Sequence, residues 1–217
     1  IVSKIEKANL ANEPGIYKIN CAHFIGGKIN YEGRFTSGKI SFLADVVEEK
    51  FGIEIDDYIK INTKGFRDLV DHLGGVDINV SYDMIYEDPS QGLHINIEKG
   101  LRHLNGADAE GFVRFRQGVK KDGTPFEIGD IGRKKNQLTF IKELIRQKGT
   151  LKNINKIPGI LDLLGKNVEH SIGVSDVLKT YMGMAADIIT DQYTIETVNI
   201  DSDKMIRIKG SSYLVVN

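Results

Sequence analysis

GFVRFRQGVKKDGTPFEIGDIGRKKNQLTFIKELIRQ, residues 111–147, is the stretch whose reading decides the fold. Its first residues alternate. Val113 and Phe115 point one way, Arg114 and Arg116 the other, the period of a strand. A polar loop rich in Gly and Lys follows. From Asp130 the pattern changes to a helix, with Asp130 as its expected N-cap and Gly149 as its stop. At about 100° per residue, Phe140, Ile141 and Leu144 form the inner stripe. Arg133 and Gln137 fall on that stripe one and two turns earlier, while Lys135, Lys142, Glu143 and Arg146 take the outer side. Three arginines near a helix start suggest a phosphate or pyrophosphate site, because guanidinium forks and helix N-terminal N–H groups both favour anions. The structural alternative is that Arg114 and Arg116 are solvated on an open sheet face and Arg133 pairs with Asp130.

Working outward, the neighbouring segments alternate strands and helices. Ser37 caps a helix expected from Gly38 to Phe51, with Gly52 as its stop. Residues 57–62 alternate as a strand, Thr63 caps a helix over residues 64–73, and Gly74-Gly75 ends it. Residues 76–80 form a further strand. This order resembles a βαβ unit and favours a sheet covered by helices. Residues 17–27 read as a loop or extended segment turned at Gly26-Gly27. Residues 81–92 read as a polar loop, 93–97 as a short strand and 100–104 as a turn. Asn105 caps a short A-D-A-E segment. Helices are expected over 157–168 and 174–190, and strands over 193–200, 204–208 and 212–216. No repeat or long linker interrupts the chain, so one α/β domain over residues 1–217 is expected: a mixed sheet packed between helices, an α-β-α sandwich.

Composition bounds the function. The 217 residues are 41% hydrophobic, enough for a substantial core. The formal net charge of −1 argues against nucleic-acid binding by bulk charge, so any basic patch is local. The single cysteine, Cys21, excludes an intrachain disulfide and a cysteine zinc cluster. No run of about 18 or more apolar residues marks a membrane-spanning helix. Phosphate loops, G-x-G-x-x-G, G-x-S-x-G and H-E-x-x-H are absent. Asp83, Glu87 and Asp88 could hold a metal or simply be solvated. His94 and His103 stand isolated and read as surface or hydrogen-bonded histidines. What remains is catalysis by charge stabilisation, the mode that serves phosphoryl transfer.

Four blocks occur in order: YKINCAHFIGG at 17–27, DYIKINTKGFRDLVDHLGGVDINV at 57–80, GLHINIEKGLRHLNGADA at 92–109, and VRFR with DIGRKKNQ within 113–137. With the closing MIRIKGSSYLVVN, they give the chain a close resemblance to the LytR-CpsA-Psr family of bacterial cell-wall enzymes. The resemblance implies a phosphotransferase that moves a glycopolymer, of teichoic acid or capsule type, from a polyprenyl-pyrophosphate carrier to a peptidoglycan hydroxyl with Mg²⁺ assisting. It implies an N-terminal membrane anchor and work on the outer face of the bacterial cytoplasmic membrane, with no nucleic acid partner. By that resemblance Arg114, Arg116 and Arg133 neutralise pyrophosphate charge, Gln137 orients an oxygen, Asp130 holds an arginine, and Lys18 stands at the rim. The carrier lipid needs an apolar groove, for which Phe66, Leu69, Val70 and Leu73 are candidates; plain core is the other reading of the same residues.

Two departures from the family pattern stand out. Asn136 occupies the position where the family has an arginine before the helix glutamine, toward the edge of the inner face. The family's opening strands, which carry acidic metal ligands and another arginine, have no counterpart here, and IVSKIE resembles the segment that comes after them. The Mg²⁺ ligands are therefore expected upstream of Ile1, and no metal residue is named. These departures keep a second reading open, a polyprenyl-phosphate or pyrophosphate binding module without turnover. A DNA-binding regulator has little support at this net charge.

Overall fold

The computed structural model describes residues 18–149, 156–171, 204–208 and 211–215. The helix expected over 174–190 and the strand expected over 193–200 lie outside the described residues. The chain divides into two compact units, Ile1–Tyr58 with Glu196–Asn217, and Ile59–Ile195.

In the first unit a short 3₁₀ turn, Ile19–Cys21, leads into α1, Ala22–Lys28, which packs against α2, Gly38–Phe51. The boundaries of α2 are those read from the sequence, and Gly52 closes it at φ 64°, a conformation open to glycine without strain. Within the loop expected over residues 17–27, residues 19–21 are a 3₁₀ turn and residues 22–27 are helical. Gly26 and Gly27 do not turn the chain; a Cβ at Gly26 would stand 2.6 Å from the Cβ of Phe42, so the glycine lets two helices close. Ala22, Ile25 and Phe42 are buried where they meet.

The second unit opens with β1, Ile59–Ile61, and α3, Thr63–His72, followed by β2, Val76–Val80. Asn62, not Thr63, caps α3: its side chain accepts from the Gly65 N–H at 2.7 Å. The next strands are β3, Met84–Asp88, β4, Leu93–Ile97, and β5, Gly100–Leu104. Helix α4 spans Gly106–Arg114, β6 and β7 are Gln117–Val119 and Pro125–Glu127, and α5 spans Gly129–Lys148. Helix α6, Ile157–Asn167, and strand β8, Val168–His170, close the described part of this unit. The first unit also holds an antiparallel hairpin, β9, Lys204–Ile208, and β10, Ser211–Val215.

The architecture is mixed α/β, and every strand pairing among the described residues is antiparallel. The β1–α3–β2 order is not a parallel crossover: β1 pairs with β8 and β2 with β5. Two expected loops are strands. Residues 100–104 are no turn, because Val76–Val80 alternates buried and exposed and needs a partner for its unpaired edge. Residues 84–88 pair with β4 and bury Met84 completely.

The largest correction concerns the arginine segment. Residues 111–114 are the second half of α4, not a strand. Asn105 accepts from the Asp108 N–H at 2.9 Å and starts the helix. Ala109, Phe112 and Phe115 then recur every third residue on one face, at 0%, 3% and 1% exposure. Gly111 allows the close approach to β4; a Cβ there would meet Ile95 at 3.3 Å. Helix α4 packs against α3, α5 and β4, so the core of this unit gathers around it.

Candidate anion site

Phe115 leaves the helical region at ψ 128° and turns the chain out of α4. Its ring stays in the core beside Tyr82 and Phe126. That anchor places Arg114, the last residue of α4, on one side of it and Arg116 on the other. The Arg116 carbonyl accepts from the Ile128 and Gly129 N–H groups at 2.9 and 3.2 Å, tying this exit to the start of α5. Ile128 holds the N-cap position, so Asp130 is not the cap; it lies in the first turn, where an acid suits the helix dipole. Asp130 pairs with Arg133 one turn on, and with Lys134 at 3.6 Å. Gln137, a further turn along, donates from Nε2 to the Val113 carbonyl at 3.1 Å and so satisfies a terminal carbonyl of α4.

These residues converge. A pocket of about 330 Å³ is lined by Arg114, Arg116, Arg133 and Gln137, together with Tyr86, Asp88 and Gln91 from the β3–β4 hairpin. Three guanidiniums face one carboxylate, Asp88. The Asp88 carboxyl is held below its usual range by the Ser90 hydroxyl first, then by the Gln91 amide and the backbone N–H groups of the turn. It is thus committed to shaping the hairpin. Arg133 Nε is buried and has no hydrogen-bond partner among the described residues, although its Nη2 donates to Asp130. A guanidinium with one edge anchored and one buried N–H open is suited to grip an anion.

Sequence reasoning missed Glu110. Its carboxylate, 7% exposed, accepts from Arg114 at 2.5 Å and pairs with Arg67 at 3.1 Å. The spacing of Glu110 and Arg114, i and i+4, is a helical pair. It was hidden because the segment reads as a strand. Glu110 and Gln91 between them fix the Arg114 guanidinium. Glu110→Ala is expected to cost about 1–3 kcal/mol, because it strips the acceptor from two guanidiniums; chemical denaturation of the variant against the parent checks this.

Asn136 is not at the edge of the inner face. It is 8% exposed at the α4–α5 contact, accepts from the Tyr82 hydroxyl at 3.0 Å, and donates to the Phe112 carbonyl at 3.4 Å. Burial raises the Tyr82 pKa, and the bond to Asn136 only partly offsets this. Ile141, expected inside, is 52% exposed, whereas Phe140 is fully buried. Helix α5 is therefore rotated toward Asn136 relative to the wheel drawn from its apolar residues alone. Phe66 packs its ring against Phe140 at 5.3 Å, and Val70 and Leu73 are buried. None of these, nor Leu69, lines the arginine pocket. Lys18 is exposed at the start of the 3₁₀ turn, in the other unit.

Among the described residues no group of three or more His, Cys, Asp or Glu is placed to hold a cation. Glu87 pairs with His94, and Asp83 accepts from the Lys99 N–H at 2.9 Å. His103 pairs with Asp77 at 2.7 Å. No helix among the described residues is long and apolar enough to cross a membrane.

The same residues also lie within a wider match. The LytR_cpsA_psr family model covers residues 4–217. The chain belongs to the LytR_cpsA_psr family. Relatives of this LytR_cpsA_psr domain include the polyisoprenyl-teichoic acid–peptidoglycan teichoic acid transferase TagV of Bacillus subtilis. That protein is 28% identical over 87% of this chain and 46% of its own length. The corresponding TagU of Oceanobacillus iheyensis is 30% identical over 88% of this chain and 55% of its own. The chain thus spans about half the length of the curated relatives it matches. The crystal structure of B. subtilis TagV superposes with a TM-score of 0.67 at 26% identity, covering 95% of this chain and 72% of that one. A structure of TagT bound to LIIa-WTA gives 0.60 at 18% identity over 92% and 65% of the two chains, a likeness of fold.

Proposed function

We propose that this domain binds the pyrophosphate of a polyprenyl-pyrophosphate-linked glycopolymer and transfers the glycan phosphate to a peptidoglycan hydroxyl. One observation carries the reading: three arginines, one ending α4, one two residues past it and one in the first turns of α5, line a single pocket, and the last keeps a buried N–H open. The names of the TagU and TagV relatives supply the polymer class, a teichoic acid, and peptidoglycan as its destination.

In the reaction, the peptidoglycan hydroxyl oxygen bonds to the glycan-side phosphorus. The bond from that phosphorus to the bridging oxygen breaks, polyprenyl phosphate leaves with the electron pair, and the hydroxyl proton passes to solvent. Negative charge moves onto the leaving phosphate. Arg114, Arg116 and Arg133 stabilise it in place, without reorganising, because Glu110, Gln91 and Asp130 already hold two of them. Gln137 supports the carbonyl end of α4 and keeps the two arginine-bearing helices in register. A lipid-carried donor puts the working site at the bacterial membrane surface.

A second reading is favoured by the lack, among the described residues, of acids grouped for a cation: a polyprenyl-phosphate or pyrophosphate binding module without turnover. Incubation of the full-length protein with a polyprenyl-pyrophosphate glycan and peptidoglycan fragments separates them. Phosphodiester-linked glycan on the fragments is the expected result. Donor binding with no linked product would establish the binding module instead.

A further inference from the structure

A second cavity, of about 510 Å³, adjoins the arginine pocket and shares Tyr86 and Gln117 with it. Both volumes fall in the range of roughly 300–1,000 Å³ occupied by small-ligand sites. The cavity lies on strands β3, β6 and β7 of the four-stranded sheet ordered β4-β3-β6-β7. Strand register puts Gln117 opposite Glu127, Val119 opposite Pro125, and Ile85 opposite Val119. Alternation then gathers Ile85, Glu87, Gln117, Val119, Pro125 and Glu127 on one sheet face. One row across the three strands is apolar, Ile85, Val119 and Pro125, and the adjoining row is two carboxylates and an amide, Glu87, Glu127 and Gln117. Glu87 is engaged by His94, but Gln117 and Glu127 have no side-chain partner among the described residues.

This inference rests on the pyrophosphate reading of the arginine pocket. A lipid-linked donor has two arms leaving its pyrophosphate, one hydrocarbon and one glycan. Hydrocarbon laid over two carboxylates would desolvate charge for no return. A further phosphate would be repelled by the same carboxylates. A neutral sugar suits the face on both counts: its C–H surface covers Ile85, Val119 and Pro125, and its hydroxyls donate to Glu127 and Gln117. We propose that this sheet face is the subsite for the neutral sugar residue of the donor nearest the pyrophosphate, with Gln117 as the hinge between the two pockets. Discrimination among donors by their first sugar is then set on β6 and β7, apart from the arginines.

The test is equilibrium binding of two lipids to the full-length protein, a polyprenyl pyrophosphate bearing one neutral hexose or hexosamine, and the same lipid without sugar. Glu127→Ala is expected to weaken the sugar-bearing lipid about tenfold or more, the effect of a hydrogen bond to a charged group. It should leave the sugar-free lipid unchanged, and Glu127→Gln should recover part of the loss. Equal effects on both lipids, or no effect on either, would overturn the subsite while leaving the arginine pocket standing. Failure of the parent protein to bind even the sugar-free lipid would remove the pyrophosphate reading, and this subsite with it.

Discussion

Arg133→Ala is expected to lower glycan transfer by about a hundred- to a thousandfold, the effect of deleting one preorganised donor to a developing anion. Three features single it out. Its Nη2 is fixed by Asp130, its Nε is buried without a partner among the described residues, and its side chain lines the pocket from the first turns of α5. Stability should hardly change, because the Arg133–Asp130 pair is partly exposed and such pairs contribute about 0–1 kcal/mol. Single-turnover transfer beside thermal unfolding of the same preparation checks both halves. Arg133→Lys should restore little, since an ammonium cannot present two parallel N–H groups. A variant within threefold of the parent would show that Arg133 serves only its ion pair.

Phe115→Ala is the change with the largest expected cost in stability, about 3–5 kcal/mol. Its ring is 1% exposed and lies with those of Tyr82 and Phe126 in the core. The same ring anchors the chain between Arg114 and Arg116. Activity should therefore fall by more than the loss of folded protein explains, whereas Phe115→Leu, which keeps most of the volume, should retain both. Denaturant titration with activity normalised to the folded fraction makes the comparison. An equal loss at both readouts would mean that the ring fills space and positions nothing.

The parts of the fold legible in the sequence were those with long, clean periodicity. Residues 38–51 carry a helical apolar pattern between a cap and a terminal glycine, and residues 76–80 and 93–97 alternate strictly; all three formed as read. Residues 111–116 failed because Val-Arg-Phe-Arg is too short to tell a period of 2 from one of 3.6. Its helical partners, Ala109 and Phe112, stand beside a glycine that looks like a breaker and is in fact a close contact with β4. Strand β5 was missed because Leu101, 73% exposed, and the partly buried Arg102 break the match of apolar to inward, and strand β3 because Met84, Ile85 and Tyr86 run together with no alternation of polarity to read.

The candidate site was legible as a set of residue types and not as a geometry. Arg114, Arg116, Arg133 and Gln137 do meet in one pocket. They meet because a helix end and a helix start are tied together through the Arg116 carbonyl and the Gln137 amide, not because two arginines share a strand face. Asn136 shows the limit most clearly. Set against the family pattern it is a missing charge, whereas in the structure it is a buried hydrogen-bonding link between Tyr82 and α4. Glu110 could not be found until its segment was known to be helical.

The most direct test of the pyrophosphate clamp is the affinity of the full-length protein for a polyprenyl pyrophosphate, measured for the parent and for Arg114→Ala, Arg116→Ala and Arg133→Ala separately. Each substitution is expected to weaken binding about tenfold or more, as the loss of a charge-assisted hydrogen bond to an anion should. Affinities unchanged in all three variants would contradict the assignment of this pocket to the pyrophosphate.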